Sequence, residues 1–213
     1  TAPAAWWTRR QFDLARWVFS RLEDSDFAFL EGLPEHCVIH PEGCTPLRVI
    51  HGAPWDINKL VFPHKEPEVF ERALNGIPED VLVFAHTHLP EILRQHGKLA
   101  VNPGSVSNNL DGDTRASYAT LTWDNGAWKP ELHFVAYDLQ DVVDAFMETG
   151  FLEATRPLSR GFLESILTGE NTALAYILHA YQKAEAAGYQ NLKVIPDEIW
   201  LAAESSFSWK YDF

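Results

Sequence analysis

Cysteine is scarce in this 213-residue chain, and the two present, Cys37 and Cys44, match no zinc or redox spacing. That excludes a disulfide framework and a cysteine-held metal, and predicts free thiols in a reducing, cytoplasmic setting. Basic residues are also in deficit. Seventeen Lys and Arg face thirty Asp and Glu, leaving a formal net charge of −13. Nucleic-acid surfaces need clustered Lys and Arg, so no nucleic-acid partner is expected. No apolar run is long enough to span a bilayer, and no membrane partner is expected. The opening Thr1-Ala2-Pro3 lacks an initiator Met and the charged and apolar regions of a signal peptide. A chain that begins mid-protein is the expectation.

What is present is ordinary globular material, 46% hydrophobic, with a core to build. Leu14, Val18 and Leu22 recur every fourth residue, predicting a helix over 8–23, and a second is expected from Asp26 to Leu33, before Pro34. Short apolar runs at 47–51, 81–85 and 98–101, each ended by a loop signal, read as buried strands. A helix around 66–75 separates the first two. Two longer alternating strands, 117–123 and 127–137, flank Asn125-Gly126, a pair suited to a hairpin turn because both residues accept positive φ. A helix is expected over 138–149. Beyond residue 150 only helical patterns remain, at 172–187, with Leu174, Ile177, Leu178 and Tyr181 on one face, and at 197–207. The reading is an α/β domain over 1–150 and a helical extension over 151–213.

Three histidines stand out by position. His51 closes one buried run and precedes Gly52. His86 and His88 follow another as His-Thr-His. In α/β folds, sites gather where strands give way to loops, and imidazole is a common ligand for first-row divalent metals. His64, His96, His133 and His179 lie outside such spacing. The eight tryptophans read as packing residues rather than a base-stacking platform.

The longer strings carry a resemblance. Val49-Ile50-His51-Gly52-Ala53-Pro54, Val83-Phe84-Ala85-His86-Thr87-His88-Leu89-Pro90 and Val101-Asn102-Pro103-Gly104-Ser105-Val106 follow one another in order. Asp111-Gly112-Asp113, Arg115-Ala116-Ser117-Tyr118 and Tyr137-Asp138 come after them. Together, over roughly residues 6–150, they resemble the C-terminal part of a calcineurin-like metallophosphoesterase of the small bacterial and archaeal phosphodiesterase branch. Ala85 stands where that family usually has Gly.

The resemblance implies a four-layer α/β/β/α sandwich with its N-terminal part missing, followed by the helical extension. It implies His51 and His86 on one metal and His88 on another, with two divalent transition-metal ions (Mn, Fe, Ni or Zn) as cofactors. Asn102, Gly104 and Ser105 either border the substrate or form a tight turn that needs Gly104. The implied activity is hydrolysis of phosphodiesters of nucleotide-like small molecules through a dinuclear site. Alternatives within the superfamily are a dinucleoside-polyphosphate hydrolase or a protein phosphatase. A non-catalytic scaffold of the same fold, as in the retromer scaffold subunit, is the reading from another class.

The family's early motifs are absent. No His has Asp two positions before it, no His follows Asn, and the one Gly-Asp, Gly112-Asp113, comes after the His-Thr-His. The catalytic residues are therefore expected in a missing N-terminal part of the same domain, itself an expected partner beside a small phosphate-ester substrate. The late aromatics Trp200, Phe207, Trp209 and Tyr211 suggest that the tail packs on the α/β body or on a second copy of the chain. Its five scattered basic residues, Arg156, Arg160, Lys183, Lys193 and Lys210, make no DNA-binding face.

Overall fold

The computed structural model describes residues 4–213; residues 1–3, read above for a signal peptide, lie outside them. The chain divides into two compact units, Gly32–Tyr137 and a helical unit made of residues up to Glu31 with Asp138–Phe213. This division differs from the boundary expected at residue 150. The physical reason is in the helical segments: helices from both ends of the chain pack on each other.

The helical unit begins with α1 (Ala4–Thr8), a 3-10 turn at Arg10–Phe12, α2 (Asp13–Phe19) and α3 (Asp24–Glu31). The single helix expected over 8–23 is thus broken. Arg16 donates to the carbonyls of Trp6 and Arg9, at 2.6 and 2.9 Å, and satisfies acceptors that a continuous helix would have bonded internally.

The α/β unit follows. Its elements are β1 (His36–Ile39), β2 (Leu47–Ile50), α4 (Pro67–Asn75), β3 (Val81–Val83), β4 (Glu91–Gln95), β5 (Lys98–Asn102), β6 (Ala116–Asp124) and β7 (Ala127–Val135). Five strands form one sheet in the order β1-β2-β3-β5-β4, and β6 pairs with β7 in a second. The inner strands β2, β3 and β5 run parallel. The edge strands β1 and β4 run antiparallel to their neighbours.

Strand alternation sorts the core into two faces. Leu82, Phe84, Ala100 and Ile50 point to α4 and meet its Phe70, Ala73 and Leu74. Leu47, Val81, Leu99 and Val101 point the other way and meet Trp128, with Ala119, Leu121 and Trp123 of the hairpin packed against them. The unit is therefore layered as helix, five-stranded sheet and hairpin. Burial of each large side chain is worth about 1.5–3 kcal/mol.

Both edge strands escaped the sequence reading. β1 has no alternation to see and is mostly exposed. β4 joins β5 through His96-Gly97, whose φ values of 51° and 80° give the two positive angles of a tight hairpin turn. The signal was present, but with His in the place usually held by Asn or Asp.

An ion pair braces the start of the parallel strands. Arg48 on β2 donates to both carboxylate oxygens of Glu79 at 2.8 and 2.9 Å. Glu79 is buried, and the Arg48 hydrogen bonds, ahead of the opposing effect of burial, hold its carboxyl below the usual range. A depressed carboxylate stabilises the fold above its unfolded pKa and loses that contribution as pH falls through the folded value. Glu79→Gln is thus expected to cost about 2 kcal/mol at pH 7 in urea denaturation and to narrow that gap below pH 4. An equal difference at pH 7 and pH 3 would refute the charge assignment.

The chain then returns to the helical unit with α5 (Leu139–Glu148), α6 (Phe151–Thr155), α7 (Leu158–Thr168), α8 (Thr172–Ala186) and α9 (Asp197–Ser206). Asp138 caps α5 by accepting from the Gln140 amide at 2.8 Å. α7 was not foreseen because its buried face carries Ser159, Arg160, Glu164 and Ser165, which make no apolar stripe. In α8 the buried face is Ala173, Tyr176, Ala180 and Ala184, while Leu174 and Leu178 are half exposed. Tyr176 decides this, since its ring meets Trp200, Phe207 and Trp209 with centroids 4.9, 5.5 and 5.3 Å away. The late aromatics thus make a core of the helical unit's own. Its last residues are held by fully buried Glu164, which accepts from the amides of Lys210 and Tyr211 at 3.0 Å each.

Candidate metal and substrate site

The parallel strands β2, β3 and β5 all release their chains on one edge of the sheet, and the singled-out residues lie there. His51 follows β2, the His86–His88 segment follows β3, and Asn102 ends β5. The amide of Ala85 donates to the His51 carbonyl at 2.9 Å, extending the β2–β3 pairing past the strands themselves.

Beyond Ala85 the backbone turns sharply. Thr87 N–H donates to the Ala85 carbonyl at 2.9 Å, closing a γ-turn on His86, whose φ is 72°. His88 also has positive φ, 58°. Two non-glycine residues in the left-handed region, separated by one residue, are an uncommon arrangement that costs conformational energy and has to be held from outside.

The holding groups can be named. Thr87 is buried between the histidines, and its hydroxyl accepts from the Asn102 amide at 2.9 Å. Asn102, 1% exposed, accepts in turn from the Gly104 amide at 3.0 Å. The Leu110 amide donates to the His88 carbonyl at 3.1 Å. His88 Nδ1 lies 2.7 Å from the Asn108 carbonyl, which can only accept, so Nδ1 carries the proton and Nε2 keeps the lone pair. Asn108 and Leu110 were not singled out in the sequence. They act through main-chain groups, which leave no side-chain pattern to find.

The rings of His51 and His86 stand side by side, 4.4 Å between centroids. Burial first, then the charges of His86 and His88, push the His51 pKa down. That favours neutral imidazole, the form with a lone pair to give a metal. His86 Nδ1 is buried without a hydrogen-bond partner among the described residues, the kind of orphan a metal would satisfy. Among the described residues, however, no group of three or more His, Cys, Asp or Glu is arranged to hold a metal ion. The structure thus brings two imidazoles together, those of His51 and His86, which fits part of a metal site.

Asn102, Gly104 and Ser105 occupy turn positions. Gly104 has φ 79°, and a Cβ there would lie 2.2 Å from Ser117 Oγ. The Ser105 amide donates to Asn109 Oδ1 and Ser117 Oγ at 2.7 and 2.9 Å, and its hydroxyl accepts from the Asn108 amide at 3.0 Å. All three support the loop carrying Asn108. Asn102→Ala removes the donor to Thr87 and is expected to cost about 2 kcal/mol and to broaden the His86 and His88 imidazole NMR signals. Unchanged signals would show that Thr87 needs no such anchor.

Among the described residues no helix is long and apolar enough to cross a membrane. None of the curated proteins matches the chain. Among solved structures, the chain is similar to a metallophosphoesterase from Sphaerobacter thermophilus, at 22% identity and TM-score 0.57, covering 73% of this chain and 67% of that one. It is also similar to hypothetical protein PH1004 from Pyrococcus horikoshii OT3, at 19% identity and TM-score 0.56, covering 70% of this chain and 55% of that one. These likenesses establish the fold. The sequence model of the calcineurin-like phosphoesterase superfamily domain matches residues 17–126, more than half of the chain, so the protein belongs to the calcineurin-like phosphoesterase superfamily.

Proposed function

We propose that this protein is a metal-dependent hydrolase of phosphate esters, with His51, His86 and His88 as metal ligands and a phosphodiester of a small, nucleotide-like molecule as substrate. The observation that carries the reading is the pairing of His51 and His86 at the ends of two parallel strands, with His86 Nδ1 buried and unpartnered. Two divalent ions, when bound, supply Lewis acidity toward a phosphoryl group and acidify water. The chain's own part is positioning. Asn108 fixes the His88 tautomer, and Asn102, through Thr87, holds the turn that aims His86 and His88.

The carboxylate and the leaving-group acid that such a site needs would come from an N-terminal part of the same domain; among the described residues no group of three or more His, Cys, Asp or Glu completes the site. Mn, Fe, Ni and Zn all suit the imidazole set, and the choice among them follows availability.

The test, run on the complete domain with its N-terminal part, measures hydrolysis of bis(p-nitrophenyl) phosphate with and without added Mn²⁺, alongside metal content by mass spectrometry. Metal-stimulated turnover with stoichiometric binding supports the reading. Metal binding without turnover would favour the scaffold alternative, and failure of both would overturn the proposal.

A further inference from the structure

A second cleft, of about 100 Å³, lies beside the His-Thr-His turn in the α/β unit. Its inner walls are mainly apolar, with Val61 and Phe84 fully buried and Leu89 partly so, while the exposed Lys65 lines it too, its ammonium turned over the Phe62 ring at 5.2 Å. Thr87 and Asn102 line it too, but their hydrogen bonds are spent on each other and on Gly104. Glu91, at the start of β4, is different. Its Oε2 is buried and has no hydrogen-bond partner among the described residues. The His64 imidazole stands 3.4 Å from it, but that ring is largely exposed at the mouth of the cleft. Burial accordingly pushes the Glu91 carboxyl up, against the opposing effect of His64.

A buried carboxylate oxygen without a donor is costly, and one that faces a cleft is a place for a ligand that brings the donor with it. The ligand's chemistry follows from the lining. The charge that complements Glu91 is positive, and the apolar walls need an apolar body. At about 100 Å³ the cleft is small and suits a ligand of only a few non-hydrogen atoms. We propose that this cleft binds a small organic cation, a primary ammonium on a short aliphatic chain, with Glu91 Oε2 accepting its hydrogen bond and Val61, Phe84 and Leu89 enclosing its methylenes.

The site has a consequence for its neighbour. Thr87 is shared: one side of it lines the cleft, and its main chain sits between His86 and His88. An occupant therefore bears on the γ-turn that aims both histidines. The proposal rests on the cleft alone and stands whether or not the chain hydrolyses phosphate esters.

The experiment is an NMR titration of the ¹⁵N-labelled protein with n-propylammonium chloride, and in parallel with n-propanol, its neutral counterpart, at constant ionic strength. Saturable shifts are expected in the amides of residues 61–65 and 87–91, with the ammonium binding at least about tenfold more tightly than the alcohol. Glu91→Gln is expected to abolish that preference while leaving propanol binding in place. Equal affinities for the two in the unaltered protein would show an apolar cavity only. The absence of saturable shifts with propylammonium, or an ammonium preference that survives in Glu91→Gln, would overturn the assignment.

Discussion

In the complete protein, His88→Ala is expected to lower metal-dependent phosphodiester hydrolysis by at least about 100-fold and to reduce the divalent metal bound per chain. The size follows from what the residue does under the proposed function. Its Nδ1–H is committed to the Asn108 carbonyl at 2.7 Å, so Nε2 alone is presented outward, and alanine removes that donor altogether. His88→Gln would keep polarity but not the imidazole lone pair, and is expected to recover little. His133→Ala is the control. That ring stacks on Tyr118 at 4.7 Å and pairs with the Thr120 hydroxyl on the hairpin, so its loss should touch stability slightly and turnover not at all. Equal turnover in the unaltered protein and the His88 variant, at matched metal, would remove His88 from the metal site.

Gly52→Ala is expected to be severely damaging for a single added methyl, at about 3 kcal/mol or more. A Cβ at that position would lie 2.4 Å from the Ile57 carbonyl oxygen and 2.7 Å from that of Lys59. Both are main-chain atoms, so no side-chain rotation can relieve the clash, and the 53–59 loop has to move. His51 is the adjacent residue and must move with it. Urea denaturation would give the stability loss, and the His51 imidazole shift would report the displacement. A change below about 1 kcal/mol with an unmoved His51 signal would mean that the loop yields freely. The clash explains on physical grounds why glycine follows this histidine.

The inner sheet was legible in the sequence because its largely buried strands read as short, mainly apolar runs, 47–51, 81–85 and 98–101, each ended by a loop signal. The Asn125-Gly126 hairpin was legible because its turn residues are chosen by φ alone. β1 and β4 were not, since an edge strand takes its conformation from a partner and carries no burial pattern of its own. The same holds for the buried face of α8, where Tyr176 prevails over the Leu174–Leu178 side through aromatics more than twenty residues away.

The candidate site divides along the same line. Sequence alone determined its chemistry: three imidazoles at loop junctions, no cysteine and no basic surface, in an order that matches one superfamily. Residue identity sets which atoms can donate a lone pair, and chain order sets which strand ends carry them. Tertiary structure decided the rest. Parallel pairing of β2, β3 and β5 puts their ends on one edge and brings His51 beside His86, although thirty-five positions separate them in the chain. It also showed that Asn102, Gly104 and Ser105 support the loop, through hydrogen bonds with one another and with Thr87, Asn109 and Ser117. A sequence records which groups can form hydrogen bonds, but only the folded backbone determines which of them are left free.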